Sequence, residues 1–146
     1  MTNATETASA AARPLRIFVV ENHADTREFL TLMLEELGHQ VSVADTMTKA
    51  LREVPASGCD VLISDIGLPD GDGWELLEKL DLPRPVFAIA MSGFGMSADR
   101  SRSKAAGYRH HLVKPMGLEQ LESILIEAAV ELRGKRRDER TIPVAF

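Results

Sequence analysis

Short apolar runs alternate with stretches of helical periodicity along most of this chain. The runs are IFVV (17–20), VSVA (41–44), DVLIS (60–64), VFAIAM (86–91) and HLV (111–113). The first, third and fourth are too uniformly apolar for strands with one wet face, so they are expected at the centre of a parallel sheet. Between the runs, Phe29, Leu30, Met33, Leu34 and Leu37 recur at helical spacing. Asp25 and Glu28 stand like a capping box before them, and Gly38 suits the stop. A second helix is expected from Thr46 to Val54, ended by Pro55. A third carries Trp74, Leu77 and Leu80, and a weaker, Ala/Ser-rich fourth spans 97–106. The last has Leu118, Leu121, Ile124, Leu125, Ala128 and Leu132 on one stripe. Five strands alternating with five helices predict an α/β fold, a doubly wound parallel five-stranded sheet with helices on both faces.

Outside this alternation lie the first 14 residues, Ala/Thr-rich and without periodicity, expected to form a disordered tail. A single folded domain is expected over 15–132, followed by a charged tail over 133–146. From Arg133 to Arg140 that tail carries five basic and two acidic side chains, the pattern of a solvated helix end. The whole chain has 146 residues, 45% of them hydrophobic and 27% charged, as in ordinary globular proteins. No segment has the length or apolarity of a membrane span or a signal peptide, so a cytoplasmic protein without a membrane partner is expected. The net charge of −5 argues against direct nucleic-acid binding. A lone Cys59 forms no internal disulfide and no thiolate metal site, and is expected to be filler beside a strand.

The polar residues that follow the strands change the picture. After IFVV come Glu21 and Asn22; after DVLIS comes Asp65; after VFAIAM comes Ser92; after HLV come Lys114 and Pro115. All carboxyl ends of parallel strands lie along one sheet edge, where open α/β sheets bind ligands. Two acids, an amide, a hydroxyl and an ammonium meeting there suit a divalent cation, Mg²⁺ by its preference for hard oxygen ligands, together with a phosphoryl group. A carboxylate beside a metal can also be a nucleophile toward phosphorus, and Asp65, ending a central strand, is the best placed. Asp70 and Asp72 follow in LPDGDG, where turn geometry accounts for both and Asp72 is placed to cap the third helix.

VVENHAD, LISDIGLPDGDG, MSG and VKP, in this order at successive strand ends, resemble the receiver domain of bacterial response regulators over residues 15–132. The resemblance implies a (βα)5 flavodoxin-like sheet of order 2-1-3-4-5. It also implies that Asp65 takes a phosphoryl group from a phosphohistidine on a sensor histidine kinase or histidine phosphotransfer protein. Glu21, Asn22, Asp65 and the Gly67 carbonyl would then hold Mg²⁺, Ser92 and Lys114 would contact the phosphoryl group, and Pro115 would shape the loop, often through a cis bond. The protein would be a phosphoacceptor rather than a turnover enzyme. Its output would be a downstream protein partner, since the chain offers no room beyond Leu132 for a DNA-binding or catalytic domain. The last helix offers a surface through which two copies could pair.

Two positions depart from the family pattern. Asn22 stands where receivers usually carry the acid that ligates the metal, and an amide brings no charge. The alternative is therefore a pseudo-receiver, folded alike but signalling by binding alone. His111 stands where receivers often place Tyr or Phe, three residues before the lysine, as a switch side chain. Two other classes fit poorly. A dehalogenase-type phosphatase carries a second Asp two residues after the nucleophile, where this chain has Gly67. A calcium loop starting at Asp70 fails because Trp74 and Glu75 fall on its fifth and sixth positions.

Overall fold

The computed structural model describes residues 14–93 and 99–141. The strands that form the main sheet are β1 (Arg16–Val20), β2 (Gln40–Ala44), β3 (Val61–Asp65), β6 (Phe87–Ser92) and β7 (His110–Val113). A two-stranded hairpin, β4 (Gly67–Leu68) with β5 (Gly71–Asp72), leaves the end of β3. The helices are α1 (Ala24–Glu36), α2 (Met47–Ser57), α3 (Gly73–Lys79), α4 (Asp99–Ala106) and α5 (Leu118–Thr141). The main sheet runs β2-β1-β3-β6-β7 with every pairing parallel. Counting only its five strands, this is the expected order 2-1-3-4-5. Strand order reverses between β1 and β3, so the crevice predicted for a ligand opens at their carboxyl ends.

Side-chain alternation along the strands divides the core into two layers. Ile17, Val19, Val61, Ile63 and Ile89 pack beneath Leu30 and Leu34 of α1 and Leu121, Leu125 and Ala128 of α5. Phe18, Val20 and Leu62 pack on the other face against Met47, Ala50 and Val54 of α2 and Leu76 of α3. Each fully buried aliphatic side chain contributes roughly 1.5–3 kcal/mol, which makes this two-sided burial the main force holding the site's scaffold together. Cys59 is half-buried against the second layer, as expected of filler.

Several local expectations are corrected. The capping box does not form: α1 begins at Ala24, its N-cap is His23 with no side-chain cap bond, and Asp25 therefore lies inside the first turn. The His23 amide turns instead to the Glu21 carboxylate, 3.2 Å away. Phe29 is 60% exposed rather than core, because Leu30, Met33 and Leu34 already fill the buried face of α1. Pro55 lies within the last turn of α2, and the helix stops at Gly58, whose φ of 65° is the left-handed conformation of a glycine C-cap. Leu118, expected on the buried stripe, is 48% exposed at the first position of α5. The charged segment after Leu132, read from the sequence as a solvated helix end, continues α5 through Thr141. The added residues are mostly good helix formers, and the next proline is Pro143. The N-terminal tail and Ser97 lie outside the described residues.

Candidate functional site

Parallel register brings the candidate residues to one edge. Glu21 follows β1 and its N–H donates to the Ala44 carbonyl at 3.0 Å, which holds it beside the end of β2. Asp65 ends β3 opposite Met91, and Ile66 N–H continues the ladder to the Met91 carbonyl at 2.8 Å. Lys114 follows β7 and its N–H donates to the Ser92 carbonyl at 2.9 Å. The Lys114–Pro115 bond is cis.

At the centre the Lys114 ammonium donates to both acids, reaching Asp65 Oδ2 at 2.7 Å and Glu21 Oε1 in a shorter contact. Glu21 is fully buried and Asp65 is 6% exposed, so one cation serves two carboxylates in a poorly hydrated place. Burial pushes the Glu21 carboxyl up, but the ammonium and the His23 N–H outweigh it and leave Glu21 below the usual carboxylate range. For Asp65, burial and the charge of Glu21 outweigh the same ammonium, and its carboxyl rises above the usual range. Burial works against the Lys114 charge, yet the two carboxylates raise its affinity for the proton. Asp65 also accepts the Gly67 N–H at 3.1 Å through its other oxygen.

Close packing fixes this geometry from behind. A Cβ on Gly73 would lie 2.7 Å from the Asp65 carbonyl oxygen and 3.1 Å from Ile66 Cα, so only glycine lets α3 begin here. The Tyr108 hydroxyl donates to the Gly73 carbonyl at 2.6 Å and ties the same point to the segment before β7. Burial raises the Tyr108 phenol well above its ordinary value, keeping it a donor.

Donor chemistry decides whether a cation fits. One ligand atom each from Glu21, His23 and Asp65 lies within 4.8 Å of the other two. Two carboxylates at that separation repel, by about 4 kcal/mol at 4 Å and an effective dielectric of 20, which a divalent ion would offset. The two carboxylates offer the hard oxygen donors of a Mg²⁺ site, and so fit the ion expected from the sequence. Asn22 and His23 are both exposed, and the side-chain nitrogen that joins the cluster is His23 Nδ1, 3.3 Å from Glu21 Oε2. His23 was missed by sequence reasoning. Its only signal was its place two residues after Glu21, at the head of a helix.

Ser92 Oγ lies 2.7 Å from His111 Nε2. The neighbouring His110 faces the other side, 3.0 Å from Glu127 of α5 and beside the Phe87 ring. Two further partners were not anticipated: Ser103 Oγ lies 2.7 Å from His111 Nδ1, and Trp74 Nε1 donates to Ser103 Oγ at 2.9 Å. Asp72 caps α3 by accepting the Glu75 N–H at 2.8 Å, as predicted. Asp70 does more than turn the chain: its carboxylate accepts the N–H groups of Met47 at 2.7 Å and Thr48 at 2.8 Å, at the start of α2.

Comparison with known proteins places this geometry. Residues 17–126 match the family model described as response regulator receiver domain. KDP operon transcriptional regulatory protein KdpE of Escherichia coli is 34% identical over 109 residues, which cover 75% of this chain and 48% of that protein. The chain thus spans about half the length of that relative. An uncharacterized 14.6 kDa protein of Leptolyngbya boryana is 36% identical over 68% of this chain and 79% of its own. Among solved structures, a CheY-like receiver domain protein from Methanospirillum hungatei superposes with TM-score 0.77 at 27% identity, over 84% of this chain and 98% of that one. The receiver domain of sensor histidine kinase PA1611 from Pseudomonas aeruginosa, solved with a magnesium ion coordinated in its active site cleft, gives TM-score 0.72 at 25% identity, over 80% and 98%. With the motifs, the strand order and the carboxylate–lysine centre in agreement, the chain belongs to the response regulator receiver domains of two-component signalling.

Proposed function

We propose that this chain works as a response regulator receiver whose phosphoacceptor is Asp65. The observation that carries the reading is the Lys114 ammonium bridging the buried Glu21 and Asp65 carboxylates at the carboxyl edge of the sheet. An Asp65 oxygen attacks phosphorus of a phosphohistidine in line. The O–P bond forms as the P–N bond breaks, and the histidine of the donor leaves with the electron pair. Lys114 stays beside the acceptor, able to turn its protons toward phosphoryl oxygens, and Ser92 supplies a hydroxyl from the adjacent strand end. Glu21, Asp65 and the Gly67 carbonyl would hold Mg²⁺ through oxygen, with Asn22 and His23 at the rim. Bound there, the cation would neutralise charge on the transferring group. The magnesium-bound PA1611 receiver domain, similar in fold, supports this assignment.

The donor is a sensor histidine kinase or histidine phosphotransfer protein, and the reader is a downstream protein in the cytoplasm. Asp65 accepts and releases phosphate as part of its own modification rather than turning over a free substrate. Intact-protein mass after incubation with acetyl phosphate, with and without Mg²⁺, tests the reading. A Mg²⁺-dependent phosphoryl adduct is expected, and Asp65→Asn should lack it. Should the unaltered chain stay unmodified under conditions that label an ordinary receiver, the phosphoacceptor assignment is wrong and the fold serves as an interaction module.

A further inference from the structure

The two acids of the centre give one oxygen each to Lys114, Glu21 Oε1 and Asp65 Oδ2. Glu21 turns its other oxygen, Oε2, toward His23, whose main-chain nitrogen lies 3.2 Å away and whose ring Nδ1 lies 3.3 Å away. His23 is the N-cap of α1, and its backbone is held from both sides. The Arg27 N–H donates to the His23 carbonyl at 2.9 Å, and the Arg27 guanidinium donates to the Glu21 carbonyl at 2.9 Å. The ring itself is exposed, so an ion can reach Nδ1 from solvent without opening the core.

Charge and donor type act in the same direction here. Lys114 already offsets part of the carboxylate charge, and Asn22 beside it is exposed and neutral. A hard cation such as Mg²⁺, held through oxygen and charge, gains less from such a site than from one rich in acids. An imidazole nitrogen adds little for Mg²⁺ and much for Zn²⁺, which takes nitrogen and carboxylate oxygen together. Two donors on one tetrahedral Zn²⁺ stand roughly 3.3 Å apart when the bonds are about 2.0–2.1 Å long. His23 Nδ1 and Glu21 Oε2 already have that separation. A carboxylate oxygen of Asp65 lies within 4.8 Å of the donor atoms of both, so small side-chain turns bring the third ligand in.

We infer that His23 is a nitrogen ligand that turns this cation site toward Zn²⁺, with Glu21 and Asp65 as its oxygen ligands. The inference rests on the cation site of the proposed function and not on phosphoryl transfer. It gives the exposed imidazole a task that Mg²⁺, bound through oxygen, leaves to it only as a bystander.

Calorimetric titration of the full chain with Zn²⁺ and, separately, with Mg²⁺ gives the ratio of the two affinities. His23→Gln should lower that ratio by roughly tenfold or more, since removing even an outer partner of a metal ligand costs about that much. A role confined to the start of α1 would weaken both ions alike and leave the ratio unmoved. X-ray absorption at the zinc edge of the loaded chain should show one imidazole nitrogen, absent in His23→Gln. It should persist in His110→Gln, which removes the histidine that meets Glu127. An unmoved ratio in His23→Gln, or a zinc-bound imidazole that disappears with His110, overturns the inference. Labelling of the unaltered chain by acetyl phosphate with Mg²⁺ is read apart from this. A chain that labels without a zinc preference dependent on His23 overturns the zinc assignment alone. One that binds zinc through His23 and never labels upholds it and overturns the phosphoacceptor reading.

Discussion

The two edges of the sheet use polar side chains in opposite ways. At the amino edge, His39 Nδ1 accepts the Leu15 N–H at 3.0 Å and Asp60 Oδ2 accepts the Arg16 N–H at 2.9 Å. There, side chains satisfy backbone donors where the strands begin, and each bond favours folding. At the carboxyl edge, two buried carboxylates are held together with one ammonium between them. That grouping adds little to stability and favours chemistry: it gathers two carboxylates and an ammonium where a cation and an electrophile can meet them. The contrast teaches where folding has been compromised for reactivity.

Removing the ammonium should break the comparison most severely. Lys114→Met leaves Glu21 and Asp65 facing each other, and a loss of about 3 kcal/mol at pH 7 is expected in denaturant unfolding. Its pH dependence follows from the two acids. In the unaltered chain Asp65, with its raised value, binds a proton more readily folded than unfolded. Its contribution is therefore present below its ordinary value of 3.8 and lost as pH rises through the folded value. Glu21, with its lowered value, contributes above its ordinary 4.5 and loses that contribution as pH falls. Without Lys114 both acids should behave as Asp65 does, so the gap from the unaltered chain should narrow on acidification. A gap constant from pH 4 to 8 would show that the ammonium matters only by its packing.

A smaller effect is expected behind the acceptor. Gly73→Ala places a methyl 2.7 Å from the Asp65 carbonyl oxygen, against backbone that cannot give freely. The cost should be roughly 2 kcal/mol, with labelling by acetyl phosphate reduced as Asp65 is displaced. Full stability in that variant would mean that α3 can shift without cost.

The amino edge should give the smallest and simplest response. Burial lowers the His39 value below its ordinary 6.5, so the unfolded chain takes up the proton first. Stability from this residue is intact above pH 6.5 and declines as pH falls toward the folded value. His39→Asn, which keeps an acceptor but does not titrate, should flatten that part of the stability profile relative to the unaltered chain. An unchanged slope would show that it does not arise from His39.

The sequence announced the carboxyl edge more clearly than the amino edge, for a physical reason. Glu21, Asp65, Ser92 and Lys114 each follow an apolar run, and a parallel sheet must gather such positions, so fold and centre were legible together. Contacts set by tertiary packing were not. Asp70 reads locally as a turn residue, while its partners Met47 and Thr48 lie 23 and 22 positions back in the chain. Ser103 sits on a helix with little apolar periodicity, so nothing marked its hydroxyl as facing inward toward His111 and Trp74. The capping box failed for a related reason: the Glu21 carboxylate competes for the His23 amide and sets where α1 starts.

Asp70 also gives the site a remote witness. The DGDG loop that leaves the acceptor strand is fastened twice, Asp72 to the first turn of α3 and Asp70 to the first turn of α2. A displacement of that loop must therefore strain or release the amides of Met47 and Thr48, neither of which belongs to the reacting centre. Their hydrogen-exchange rates would register loop movement from a second helix, so the motion of this edge could be timed without a probe in the pocket itself.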